Sequence, residues 1–222
     1  MIPVQSQPEP IDFDKKVRQK GKTFLAKKNV TTDAIRAHCG WRESLNDLYE
    51  KYGKICAYSA CLCQSPTVDH FIPISALVKN GNPQLAYEWT NFRLASSAMN
   101  QHKHDFLDVL DPFTVQPGWF VIDFTTINLR ILSGNNLPPS IKKKVDETIL
   151  RLKLNDRYIF IQYRVQMVDT YCVGCRSFTG SIESNFNFLK SVAPFIAAEL
   201  DRQNLKEEIV NRWIYLNQLG GK

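Results

Sequence analysis

The residue types with the most chemistry in them are gathered in one stretch. Three of the four histidines, His70, His102 and His104, lie between residues 54 and 112. Within it, Val68-Asp69-His70-Phe71-Ile72-Pro73 sets a carboxylate beside an imidazole. Such a pair suits general base or metal chemistry, because imidazole titrates near neutrality and a carboxylate is a hard oxygen donor. Consecutive residues of a regular strand point to opposite faces, so the pair needs an irregular strand or an Asp at the edge of the site. Partners stand downstream: Asn91, then Asn100, Lys103 and His104. Asn100 and His104 are four apart and share one face of a helix, so both can address whatever Asp69 and His70 address, whereas His102 faces elsewhere.

The elements that must position these groups are legible in outline. Thr67 to Ile72 reads as a short strand, Ser75 to Glu88 as a polar loop containing Gly and Pro, and Asn91 to Leu94 as a second strand. Ser96 or Ser97 offers a cap for a helix carrying Met99 through Leu107. Upstream, Thr31-Thr32-Asp33 supplies N-cap candidates, and Trp41, Leu45, Leu48, Tyr49 and Tyr52 recur at helical spacing before Gly53 supplies a stop. Downstream, Trp119 to Phe124 and Ile127 to Leu132 suggest a pair of strands, and residues 139–170 and 183–218 carry helical patterns. The order around the Asp-His pair is strand, loop, strand, helix.

The chain has 222 residues, 44% of them hydrophobic and 23% charged. That excludes a disordered or fibrous class and allows a sizeable core. No apolar run approaches the roughly 18 to 20 residues of a membrane span, and Met1 to Pro10 lacks the apolar core of a signal peptide, so a cytoplasmic location without membrane contact is expected. The net charge of +6 is local. Lys15, Lys16, Arg18, Lys20, Lys22, Lys27 and Lys28 fall in one segment without an acidic residue, and the remainder is close to neutral. Residues 1–30 are therefore expected to form an extended basic arm that meets phosphates through counterion release, a solvated tail being the alternative. The six cysteines are expected to be reduced. Cys172-Val-Gly-Cys175 could close a zinc site with Cys56, Cys61 or Cys63, although buried free thiols are the simpler reading.

Three ordered strings resemble a known family: Val-Asp-His-Phe-Ile-Pro at 68–73, Glu88-Trp89-Thr90-Asn91-Phe92-Arg93-Leu94, and Met99-Asn100-Gln101-His102-Lys103. Together they are similar to the successive His, Asn and His/Asn elements of the HNH endonucleases, over roughly Cys56 to Asp105. The resemblance implies an α+β protein: a ββα-metal core with flanking helices and a mainly helical C-terminal region. The divisions it suggests are the arm at 1–30, a nuclease module at 31–112, and a strand pair with helices at 113–222.

The same resemblance implies roles. His70 would be the general base for an attacking water, and Asn91 would brace the loop carrying His70 through side-chain to backbone bonds. Asp69 and Asn100 would hold a divalent metal, Mg²⁺ or Mn²⁺ by their oxygen donors. His104 is a further ligand in one reading, shifting preference toward Zn²⁺, Mn²⁺ or Ni²⁺, and a bystander in the other. Arg93 and Lys103 are the nearest candidates for holding the scissile phosphate, with Lys15, Lys16, Arg18, Lys20 and Lys22 adding affinity for DNA or RNA. Many members also carry zinc on two CxxC knuckles. Here the corresponding positions read Cys56-Ala-Tyr-Ser59 and Ser96-Ser97-Ala98-Met99, so packing by Tyr58, Trp89, Phe92 and Met99 replaces the zinc, or Cys172 and Cys175 reach back. Similar small bacterial proteins serve anti-phage or restriction systems, some with an ATPase partner. The competing expectation is a module that binds nucleic acid or a protein partner without doing chemistry.

Overall fold

The computed structural model describes residues 1–27, 30–177 and 180–220. The basic segment is not an extended arm. Asp14–Arg18 winds as a π-helical stretch and continues directly into α1 (Gln19–Leu25). Phe13, Val17, Gly21 and Phe24 recur at three- and four-residue steps, and the first three are buried. That stripe drives the segment to dock as a helix, which the charge count overlooks. Gly21 sits against the ring of Tyr87 so closely that a Cβ would lie 2.3 Å from Tyr87 Cγ, an approach only glycine permits. Residues ahead of it thread along the body: Val4 N–H donates to the Pro112 carbonyl, and Trp89 Nε1 donates to that of Gln7. Lys28, the last of the basic run, lies outside the described residues.

Thr31 caps α2 (Thr32–His38), its hydroxyl accepting from Ala34 N–H at 3.2 Å. A 3₁₀ turn, Gly40–Ser44, leads into α3 (Leu45–Lys51), and Gly53 reverses the chain at φ +59°. These follow the expected helix from Trp41, except that its first turn is tighter. β1 (Pro66–His70) comes next, then α4 (Ile74–Lys79) and two 3₁₀ turns, Pro83–Tyr87 and Trp89–Asn91, inside what reads from sequence as loop. β2 (Phe92–Ser96) returns antiparallel to β1, with Asp69 opposite Arg93 and His70 opposite Phe92. Ser96 caps α5 (Ser97–Lys103), accepting from Met99 N–H. The helix ends at Lys103, four residues short of the expected Leu107, and φ turns to +46° at His104.

The strand pair expected after residue 119 is present as β3 (Phe120–Ile122) and β4 (Ile131–Ser133), antiparallel. Five helices follow: α6 (Pro139–Arg151), α7 (Gln162–Arg176), α8 (Ile182–Val192), α9 (Pro194–Arg202) and α10 (Glu208–Gly220). Asp156 caps the π-helical stretch Arg157–Ile161 ahead of α7, which splits the helical pattern anticipated over 139–170. The C-terminal helices pack back on the rest. Leu62 N–H donates to the Val192 carbonyl, His102 Nδ1 bonds the Leu152 carbonyl, and one continuous core runs from Met1 to Trp213. The fold is α+β, with two small antiparallel sheets among many helices. Among the described residues no helix is long and apolar enough to cross a membrane.

Candidate functional site

A cavity of about 590 Å³ is lined by all five residues of β1, by Arg36, Trp41, Arg42 and Leu45, and by Asn100, His104 and Asp105. Among the described residues β1 pairs with β2 alone. Asp69 and His70 hold alternate positions of the strand, yet both line the one cavity.

His70 is 8% exposed and packs edge-on against Trp41 and Phe92, with ring centroids 4.8 and 5.3 Å away. Its Nε2 lies 2.9 Å from the carbonyl of Ala86. A carbonyl only accepts, so Nε2 carries the proton and Nδ1 holds the lone pair. Burial lowers the imidazole to about 4, outweighing the Ala86 carbonyl and Asp69, which pull it upward. The ring is neutral at physiological pH, with its lone pair on Nδ1.

Asn91 holds the loop that follows. Its Oδ1 accepts from Ile72 N–H at 2.8 Å, and its Nδ2 donates to the carbonyls of Ile72 at 3.1 Å and Leu85 at 3.3 Å. One amide thus ties the residues after His70 to the turn that carries Ala86, the residue that orients His70.

Asp69, 2% exposed, accepts a 2.5 Å hydrogen bond from the Tyr58 hydroxyl on Oδ2 and pairs with Lys103 through Oδ1 at 3.2 Å. Burial and the facing carboxylate push the Tyr58 phenol well above its ordinary value, which keeps it a donor. Asn100 donates through Nδ2 to Thr67 Oγ1 at 3.1 Å, and its Oδ1 makes no hydrogen bond among the described residues. His104 is exposed on the cavity rim. One carboxylate, one amide oxygen and one imidazole line one cavity, donor types that a divalent cation takes, and each Asp69 oxygen keeps a lone pair beyond its present bond. Among the described residues no three His, Cys, Asp or Glu side chains are grouped to hold a metal. Cys172 and Cys175 accordingly do not meet Cys56, Cys61 or Cys63: Cys172 Sγ faces the Ile209 carbonyl, and Cys56 Sγ accepts from Ser96 N–H.

Two expected phosphate contacts are corrected by their surroundings. Arg93 is 3% exposed; Nε and Nη2 bind Asp111 at 2.9 and 2.6 Å, Nη1 binds the carbonyls of Thr90 and Phe92, and the guanidinium lies 3.6 Å over the Phe113 ring. Lys103 has no exposed surface and divides its ammonium between Asp69 and the His70 carbonyl, so both cations are internal. The basic segment is also partly spent: Lys16 pairs with Asp47, Arg18 with Glu9, Asp14 and Glu88, and Lys20 with Glu43. Lys15 and Lys22 stay exposed, without an ion pair among the described residues.

Sequence reasoning did not find Tyr58 as a partner of Asp69, Trp41 as the wall behind His70, or Arg36 and Arg42 as lining. Trp41 stood out as a helical core position, which is the same signal. The Ala86 carbonyl is backbone and leaves no trace in residue types. In comparisons with known proteins, no protein-family model and no curated sequence matches the chain.

Proposed function

We propose that this chain is a metal-dependent endonuclease of the HNH type that hydrolyses phosphodiester bonds in DNA. The observation that carries the reading is the neutral His70, its tautomer set by the Ala86 carbonyl, its loop braced by Asn91, and its ring lining a cavity with Asp69 and Asn100. His70 Nδ1 takes the proton of a water attacking the phosphorus, which a buried neutral imidazole does without first losing a proton of its own. Asp69, Asn100 and His104 would hold a divalent cation, which supplies when bound the positive charge that offsets charge building on the phosphate and the leaving oxygen. Tyr58 keeps the Asp69 carboxylate in one rotamer. The outward lysines Lys15, on the π-helical stretch, and Lys22, on α1, add affinity without sequence information.

One observation favours a second reading, a binding module without chemistry: Asp69 already has a counter-ion in Lys103. Cleavage of supercoiled plasmid separates the two. Wild type is expected to nick in Mg²⁺ or Mn²⁺, to stop in EDTA, and to lose activity as His70→Ala while still binding. Equal nicking by His70→Ala would refute the nuclease reading; binding without cutting in any metal would favour the module.

A further inference from the structure

We propose that Arg42 is the side chain that holds the phosphate being cut, so that the substrate backbone lies against the 3₁₀ turn Gly40–Ser44. This rests on the nuclease reading and names the phosphate contact that Arg93 and Lys103 are too committed to supply.

The charges around the cavity are nearly all paired. Asp69 is matched by Lys103 at 3.2 Å, and Arg36 binds both oxygens of Asp105 at 3.0 and 3.2 Å. Glu43, the carboxylate next to Arg42 in sequence, is drawn to Lys20 at 2.7 Å. Arg42 lines the cavity, is exposed, and has neither an ion pair nor a side-chain hydrogen bond among the described residues. It therefore contributes an uncompensated positive charge to a cavity whose other pairs cancel, and its planar fork suits two phosphate oxygens at once.

Its position is fixed relative to the base. Trp41 is 6% exposed and packs its ring against His70, and the turn is closed by Ser44 Oγ on the Trp41 carbonyl at 2.6 Å and by Arg42 N–H on that of Cys39. The residue that walls His70 is thus followed directly by the unpaired guanidinium. A phosphate drawn to Arg42 is thus held at the cavity that His70, Asn100 and His104 also line.

The test has two arms. Single-turnover cleavage of supercoiled plasmid compares wild type, Arg42→Ala, Arg42→Lys and Arg157→Ala, the last removing the same charge from an exposed residue outside the cavity. Anisotropy of a fluorescein-labelled DNA duplex, with the His70→Ala protein as parent, measures affinity from about 50 to about 200 mM salt. Arg42→Ala is expected to melt like wild type, to cut about 10²-fold slower, and to lower the slope of log affinity against log salt by about 0.9, with Arg42→Lys recovering part of the rate. Arg157→Ala should match its parent in both arms. Cleavage by Arg42→Ala within about twofold of wild type, or an unchanged salt slope, overturns the proposal. If wild type itself does not cut, the nuclease reading fails separately and the anisotropy alone decides: a reduced slope upholds Arg42 as a phosphate contact, an unchanged one overturns it.

Discussion

Replacing Asn91 by Ala tests whether the brace acts through His70. The amide is 6% exposed and makes three hydrogen bonds, to Ile72 N–H, the Ile72 carbonyl and the Leu85 carbonyl. Leu85 keeps a second partner, accepting from Glu88 N–H, so the loss falls on the two backbone groups of Ile72. An unsatisfied buried group costs about 1–3 kcal/mol, and Ile72 is only half-buried, so water recovers part of this. The expected destabilisation is about 2 kcal/mol, or a fall in Tm of roughly 4–8 °C for a chain of this size. The chemical consequence goes further. Freeing Leu85 loosens Ala86, whose carbonyl fixes the His70 tautomer, and a misplacement on the order of 1 Å costs about 10²-fold in rate. Thermal unfolding by circular dichroism and single-turnover plasmid cleavage well below Tm read the two effects apart. In a His70→Ala background the Asn91 change should cost no further rate, because the group it positions is gone. A Tm within about 1 °C of wild type, or an equal rate loss in both backgrounds, would refute the reasoning.

Other expectations concern stability. Burial holds His70 at about 4 against an ordinary 6.5, so between these values the unfolded chain binds more protons than the folded one. Stability is then full above about pH 6.5 and falls by about 3 kcal/mol as the pH drops to 4; urea unfolding in EDTA should show a smaller fall in His70→Gln. Lys103→Met strands the buried Asp69 charge and should cost about 3–5 kcal/mol, most of it regained in the double variant with Asp69→Asn; a double variant no better than the single one would count against the pair. Gly21→Ala drives a Cβ into the buried Tyr87 ring and should lose about 1–3 kcal/mol or more, read as a lower urea midpoint. A wild-type midpoint would mean that α1 is not packed against Tyr87.

What could be read before the structure was local chemistry. Thr31 and Ser96 cap helices because a hydroxyl one residue ahead of a helix satisfies a free N–H, and both did so where the spacing placed them. The strand order around Asp69-His70 followed from β-branched and turn residues. The miss at the N-terminus was one of competing signals: seven basic residues outweighed a buried stripe of Phe13, Val17 and Gly21, although the stripe decides where the backbone goes. The miss at Arg93 and Lys103 has another cause. Each stands beside the chemistry in sequence, yet Asp111 and Asp69 meet them in space, and no spacing rule reveals a partner brought in by packing.

The residue types and their order were enough to single out an imidazole, a bracing amide and oxygen donors on one strand–strand–helix unit. They could do so because imidazole, carboxamide and carboxylate carry their chemistry with them. The tertiary structure decided which charges are available. Close pairing turned Arg93 and Lys103 inward, burial made His70 neutral while the Ala86 carbonyl set its tautomer, and Arg42, carried by a turn far from His70 in sequence, was left at the cavity without an ion pair among the described residues. Hydrogen bonds and ion pairs act over a few ångströms of space, and only the folded chain determines which groups lie within that reach.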